Sequence, residues 1–164
     1  MTIFEPLLAA LVASGSRFVV VGGVAVVLHG HPRFTADLDV ALDLTADDPR
    51  RAVDALTAVG LAPLMPVEAR DFADPDIRAQ WVATQNLVVF SLADPDDPFR
   101  RVDIFAEDQI PFEDLWARSK PVRLGSISVR VAAIDDLIAM KRATGRTQDL
   151  ADVEALERIK AQRR

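Results

Sequence analysis

Cysteine is absent from this 164-residue sequence. That excludes disulfides, a thiolate zinc site and a cysteine nucleophile. No apolar run is long enough to span a bilayer; the longest, Phe18 to Leu28, is short and interrupted by Gly22 and Gly23. The first residues, Met1 to Pro6, carry none of the basic character that opens a signal peptide. The expectation is a cytoplasmic protein with no membrane partner. An excess of positive charge is missing as well, the net charge being −6 at pH 7. General nucleic-acid affinity depends on Lys and Arg neutralising phosphates, so this balance does not favour a nucleic-acid partner, although a local basic patch would still serve one. Lys160, Arg163 and Arg164 make a basic end, read as a solvated, fraying helix terminus. Half the residues are hydrophobic and 27% are charged, ordinary values for a globular chain forming one domain, residues 1–164.

The chemistry is concentrated between Phe18 and Leu42. An apolar strand, Phe18 to Val21, runs into Gly22-Gly23. A short helix, Val24 to Leu28, comes next, then a basic turn, then a second strand, Leu38 to Leu42. Asp37 and Asp39 are two apart on that strand and therefore share a face. Two neighbouring carboxylates repel unless a cation lies between them. Mg²⁺ takes oxygen ligands from one or two carboxylates together with substrate phosphates. A glycine pair between strand and helix lets the backbone approach a ligand closely, with the helix's first N–H groups turned to an anion. The ordered combination points to phosphoryl or nucleotidyl transfer. Either motif alone would read as a solvated strand face or a strand end.

A third carboxylate extends the pattern. Arg101 to Phe105 reads as a strand with Asp103 the one acid in its apolar middle. Burying it needs a partner; otherwise it belongs to an edge strand facing water. Three convergent carboxylates suit two metal ions in an in-line displacement. Asp94, Asp96 and Asp97 look superficially like a calcium loop, but the glycine and the later glutamate are missing.

The remaining pattern is helical and strand-like by turns. Phe4 to Ala13 reads as a helix with Leu7, Leu8, Leu11 and Val12 on one face. A helix to Val59 opens around Pro49, capped by Thr45 or Asp47. Trp81 to Leu92 reads as one or two strands between two Asp-Pro-Asp turns, with strand 87–92 returning into 101–105 as a hairpin. Ile110 to Ser119 is a short helix, and Val122 to Val131 a hairpin turning at Gly125-Ser126. Helices follow at Ile134 to Lys141 and Asp149 to Arg163.

Gly22-Gly23, Asp37-x-Asp39 and Asp103, in this order, resemble the nucleotidyltransferase superfamily, the DNA polymerase β-like fold. Gly-Gly-x-Ala followed by His-Gly-x-x-Arg-x-Thr-x-Asp-x-Asp is similar to small bacterial members related to the abortive-infection toxin (AbiEii) group. Lys141 to Asp152 resembles that group's Lys-x-x-x-x-Arg-x-x-Asp-x-x-Asp element. Two positions depart from the pattern. Gly23 stands where many members have serine, and Gln148 where a lysine often precedes the aspartate.

The resemblance implies an α+β, two-layer fold: a mixed β-sheet flanked by helices, with a C-terminal helical element. It implies an enzyme using Mg²⁺, or Mn²⁺ in its place, to move an NMP group from an NTP to a hydroxyl of RNA, protein or a small molecule. A partner protein from a two-gene toxin–antitoxin or phage-defence system is implied too. Asp37, Asp39 and Asp103 would bind metal and carry catalysis, while Gly22, Gly23, Arg33, Thr35 and Lys141 would bind nucleotide. The alternative is a non-catalytic nucleotide-binding or protein-interaction module that keeps the fold. Individual residues have plainer readings: Arg33 paired with Asp37 or a nearby acid, Lys141 on a helix surface, Arg146 paired with Asp149, and Asp152 with Arg142. His29 is read as capping or packing, and Trp81 and Trp116 as core or partial core.

Overall fold

The structure, a computed structural model, describes residues 3–163. Met1 and Thr2 of the N-terminal stretch, and Arg164 of the basic end, lie outside the described residues. The elements run α1 (Glu5–Ala13), β1 (Phe18–Val21), α2 (Gly22–Leu28), β2 (Leu38–Leu42), α3 (Asp48–Ala58), β3 (Ala62–Pro63), a 3₁₀ turn (Ala69–Ala73), α4 (Pro75–Gln85), β4 (Val89–Ala93), β5 (Arg101–Phe105), α5 (Phe112–Arg118), β6 (Lys120–Leu124), β7 (Ile127–Val131), α6 (Ile134–Thr144) and α7 (Thr147–Gln162).

The strands form one mixed seven-stranded sheet in the order β3-β4-β5-β2-β1-β7-β6. With its flanking helices this is an α+β architecture. The apolar strand β1 lies inside the sheet, and all four of its residues are buried. That is why it reads as a continuous apolar run rather than an alternation. Strand β2 does alternate: Leu38, Val40 and Leu42 are buried, and Asp39 and Ala41 are half-buried. It runs antiparallel to β1 and parallel to β5, with Val21 opposite Asp39 and Asp39 opposite Asp103. Asp103 is therefore on an interior strand, not on an edge.

Helix α1 buries Leu7, Leu8 and Leu11 against α3 and β7, but Val12 points partly to solvent. The expected apolar face was one residue too wide. Helix α3 starts at Asp48 without a side-chain cap. Thr45 gives its hydroxyl and its N–H to Asp43, and Asp47 pairs with Arg50, so neither expected cap forms.

The largest departure from expectation is at Trp81. It lies inside helix α4, and β4 begins only at Val89. Asp74 caps α4, accepting from the N–H groups of Asp76 (2.8 Å) and Ile77 (3.2 Å), with Pro75 next in line. The Asp-Pro signal marks a helix start here rather than a turn between strands. Tertiary packing, not the flanking turn signals, decides where Trp81 lies. Its ring stacks on Phe90 (5.6 Å), which stacks on Phe72 (4.8 Å). The two-residue β3 was unforeseen, and its Pro63 is tolerated because the strand is at the sheet edge. Of the basic end, Lys160 pairs with Asp135 and Arg163 donates to the His29 carbonyl (3.0 Å), so these two cations are engaged rather than simply solvated.

Candidate active site

Strand β1 passes directly into α2, so the two glycines form the helix's first turn instead of preceding it. Gly22 has φ +63°. A Cβ there would come within 2.6 Å of Asp39 Cγ and 2.7 Å of Asp39 Cβ. A Cβ on Gly23 would meet the Thr35 hydroxyl at 2.6 Å and Thr35 Cβ at 3.1 Å. Both glycines are thus required by close approach of the β2 segment. The absence of a serine at position 23 has a physical reason: Thr35 fills the space, and its own hydroxyl donates to the Asp37 carbonyl (3.1 Å).

Register brings the acids together. Asp39 and Asp103 are opposite each other on β2 and β5, and Asp37, in the bend just before β2, lies beside them. One oxygen from each of the three carboxylates lies within 4.8 Å of the others, and among the described residues no other such group occurs. Burial and then the charges of Asp37 and Asp103 push Asp39 up to about 7; Lys141 and the Gly23 amide oppose this only partly. Asp37 is raised too, by burial and by Asp103, against the pull of Arg101. Three hard oxygen donors in mutual repulsion are the donor set a divalent ion satisfies, so the residues fit such an ion. Arg101, which sequence reasoning missed, grips Asp103 through Nε (2.8 Å) and Nη2 (3.0 Å). The signal was available: residues 101 and 103 are two apart on one strand and share a face.

A second charged layer closes the site from α6 and α7. Asp152 is fully buried, pairs with Arg33, and lies 2.7 Å from Lys141 Nζ. Gln148 donates to its other oxygen (3.3 Å). Asp149 receives Arg146 (2.7 Å), the Thr144 hydroxyl (2.7 Å) and Lys141 (3.3 Å). Burial works against its charge, but Arg146, Thr144 and Lys141 outweigh that and hold Asp149 at about 2. Three plainer readings are settled here. Arg33 does pair with a nearby acid, which is Asp152 and not Asp37; Lys141 is buried rather than on a helix surface; Arg142 pairs with Glu157, leaving Asp152 to Lys141 and Arg33. The Arg146–Asp149 pair does form.

Gly22, Gly23, Arg33, Thr35, Asp37, Asp39, Asp103 and Lys141 all line one cleft of about 630 Å³. Val88, Val89, Phe105, Thr144, Arg146, Gln148 and Asp149 complete its wall. Next to Arg33, exposed Phe34 packs edge-on to exposed Phe99 (6.4 Å). The other candidates lie elsewhere. His29 follows the last turn of α2, with Nε2 2.8 Å from the Ala132 carbonyl, and burial lowers its pKa. Trp116 packs beneath Arg17 and Arg130. In the 94–97 loop, Asp94 turns inward on Arg100 and on the Asp96 N–H.

Residues 6–163 match the family described as nucleotidyl transferase AbiEii toxin, type IV TA system. The match covers nearly the whole chain, which therefore belongs to that family and is a nucleotidyltransferase. The fold is similar to the crystal structure of lincosamide antibiotic adenylyltransferase LnuA, lincomycin-bound, with a TM-score of 0.64, 14% sequence identity and 96% of each chain covered. At that identity the likeness is one of fold. No curated protein matches the sequence.

Proposed function

We propose that the chain transfers an NMP group from an NTP to a hydroxyl acceptor on RNA, protein or a small molecule, in a reaction dependent on Mg²⁺ or Mn²⁺. The observation that supports this most directly is the convergence of Asp37, Asp39 and Asp103 beside the Gly22-Gly23 turn. A divalent ion held by these carboxylates would supply charge neutralisation at the triphosphate and at the attacking oxygen. Asp103 takes the proton of the acceptor hydroxyl. That oxygen forms its bond to the α-phosphorus as the α–β bridging bond breaks, and pyrophosphate leaves. Gly22 and Gly23 let the phosphates approach the backbone. Lys141 offsets charge on the β- and γ-phosphates, and Arg33 and Thr35 contact phosphate or ribose.

The biological setting we propose is that of the family, a toxin working with a protein partner from the same two-gene system, in the cytoplasm. No described helix is long and apolar enough to cross a membrane. One observation favours the second reading, a non-catalytic module: Arg33, Lys141 and Arg146 are all committed to Asp149 or Asp152.

Calorimetric titration of each NTP with Mg²⁺ separates the two. Binding by the wild type that is lost in Asp37→Ala/Asp39→Ala supports the enzyme reading and justifies a labelled-NTP search for acceptors. Metal-independent binding, unchanged in the variant, would favour the module. Growth arrest on expression, relieved by Asp39→Ala, marks the toxin role.

A further inference from the structure

The third carboxylate of the cluster is already engaged. Arg101 forms a two-point contact with both oxygens of Asp103, and its Nη2 also donates to the Ser91 hydroxyl (3.1 Å). Asp37 and Asp39 have no such cation in direct contact among the described residues. The same guanidinium lies in the field of all three acids. A guanidinium keeps its charge at any working pH, and its planar fork matches a carboxylate. It is therefore a permanent rival for the lone pairs that a divalent ion would use.

We propose that Arg101 withholds Asp103 from divalent cations in the free chain, so that the empty site offers an ion only Asp37 and Asp39. This inference rests on the metal-binding reading above and concerns how that site is loaded. Three carboxylates against one guanidinium leave an excess of about two negative charges, which a single divalent ion neutralises. Release of Asp103 has a ready path. The Arg101 side chain is 35% exposed, and Ser91, directly opposite Asp103 on β4, already accepts one of its N–H groups. Asp103 is thereby reserved for the loaded complex, in which it receives the acceptor's proton. Arg101 is a positioning residue by this argument, acting through Asp103.

The test is a Mn²⁺ titration of the nucleotide-free protein at pH 8, with free Mn²⁺ read by electron paramagnetic resonance. The wild type is expected to take up one ion per chain. Arg101→Gln is expected to take up a second, or to bind the first at least about tenfold more tightly. Arg101→Lys, which keeps the charge but cannot hold both oxygens, is expected to fall between them, and it decides the matter if the glutamine variant does not fold. A purely structural ion pair would lower the melting temperature and leave stoichiometry and affinity alone, so variants within twofold of wild type overturn the proposal. Asp39→Asn distinguishes the two levels. If it abolishes uptake while the Arg101 variants match wild type, the metal site stands and the withholding role falls. If no form takes up Mn²⁺, the metal-binding reading falls and this inference with it.

Discussion

The Asp39 carboxyl group rests against the α-carbon of Gly22, so close that any side chain at position 22 would occupy its space. The metal-ligand candidate and the glycine turn are one packed unit, joined by the pairing of Val21 with Asp39 across β1 and β2. Gly22→Ala should therefore be costly twice over. The positive φ costs about 1–2 kcal/mol for an L-residue, and the overlap with Asp39 adds about 1–3 kcal/mol. Urea denaturation should show a loss of about 2–5 kcal/mol. A loss below about 1 kcal/mol would mean that Asp39 moves aside freely, contrary to the packing described.

Thr35 and Gly23 form a second such pair, and here a double-mutant cycle is informative. Gly23→Ser should destabilise by about 1–3 kcal/mol through its contact with Thr35. Combined with Thr35→Ala, most of that cost should disappear, giving a coupling of about 1 kcal/mol or more. Additive effects in the cycle would show that the two sites do not share space.

The acid cluster makes the metal-free protein sensitive to pH. Asp39 is raised from 3.8 in an unfolded chain to about 7 in the fold. The folded state thus holds a proton that the unfolded state releases. The associated stability is complete below pH 4 and is lost as pH rises through 7, on the order of 4 kcal/mol at the most. Asp37 is shifted in the same direction. With chelator present, denaturation midpoints of the wild type minus those of Asp39→Asn should fall between pH 4 and pH 8. A flat difference over that range would refute the shift. Asp149 works in the opposite sense, its contribution being present above pH 4 and lost as pH falls towards 2.

Asp152 anchors the C-terminal helices to the Arg33 segment. Asp152→Ala leaves the Lys141 ammonium buried with less compensation and frees Arg33, and it should cost about 3–5 kcal/mol in thermal or chemical denaturation. Arg142→Ala breaks an exposed pair with Glu157 and should change stability by no more than about 0.5–1 kcal/mol. Similar effects from the two substitutions would contradict the burial difference between them.

Helix α4 offers a local check on the element that sequence reasoning misplaced. Asp74→Ala removes both side-chain bonds to its first turn and should cost about 1 kcal/mol. Trp81 fluorescence, from a ring stacked on Phe90, should report the loosening.

Much of the site was legible because its signals are local. Gly22-Gly23 must be glycine wherever a strand packs against the turn, and Asp37 and Asp39 share a face by the two-residue period of a strand. Asp103 stood out as an acid in an apolar strand. The order of these motifs along the chain carried the resemblance to the nucleotidyltransferase superfamily, and that resemblance implied the α+β fold. Trp81 was misplaced because Asp-Pro starts helices as readily as it makes turns, and aromatic residues serve both.

Partners of the charged side chains lay beyond such reasoning. Arg33 and Asp152 are separated by 119 positions, and only the packing of α6 and α7 over the cleft joins them. Asp39 and Asp103 meet because β2 and β5 run parallel, a pairing that alternation alone does not specify. The sequence by itself determined which residue types were available and which local faces they shared, since backbone periodicity acts over a few residues. Tertiary structure alone decided which charges neutralise each other, since that depends on distances between distant strands and helices and on how far each group is withdrawn from water.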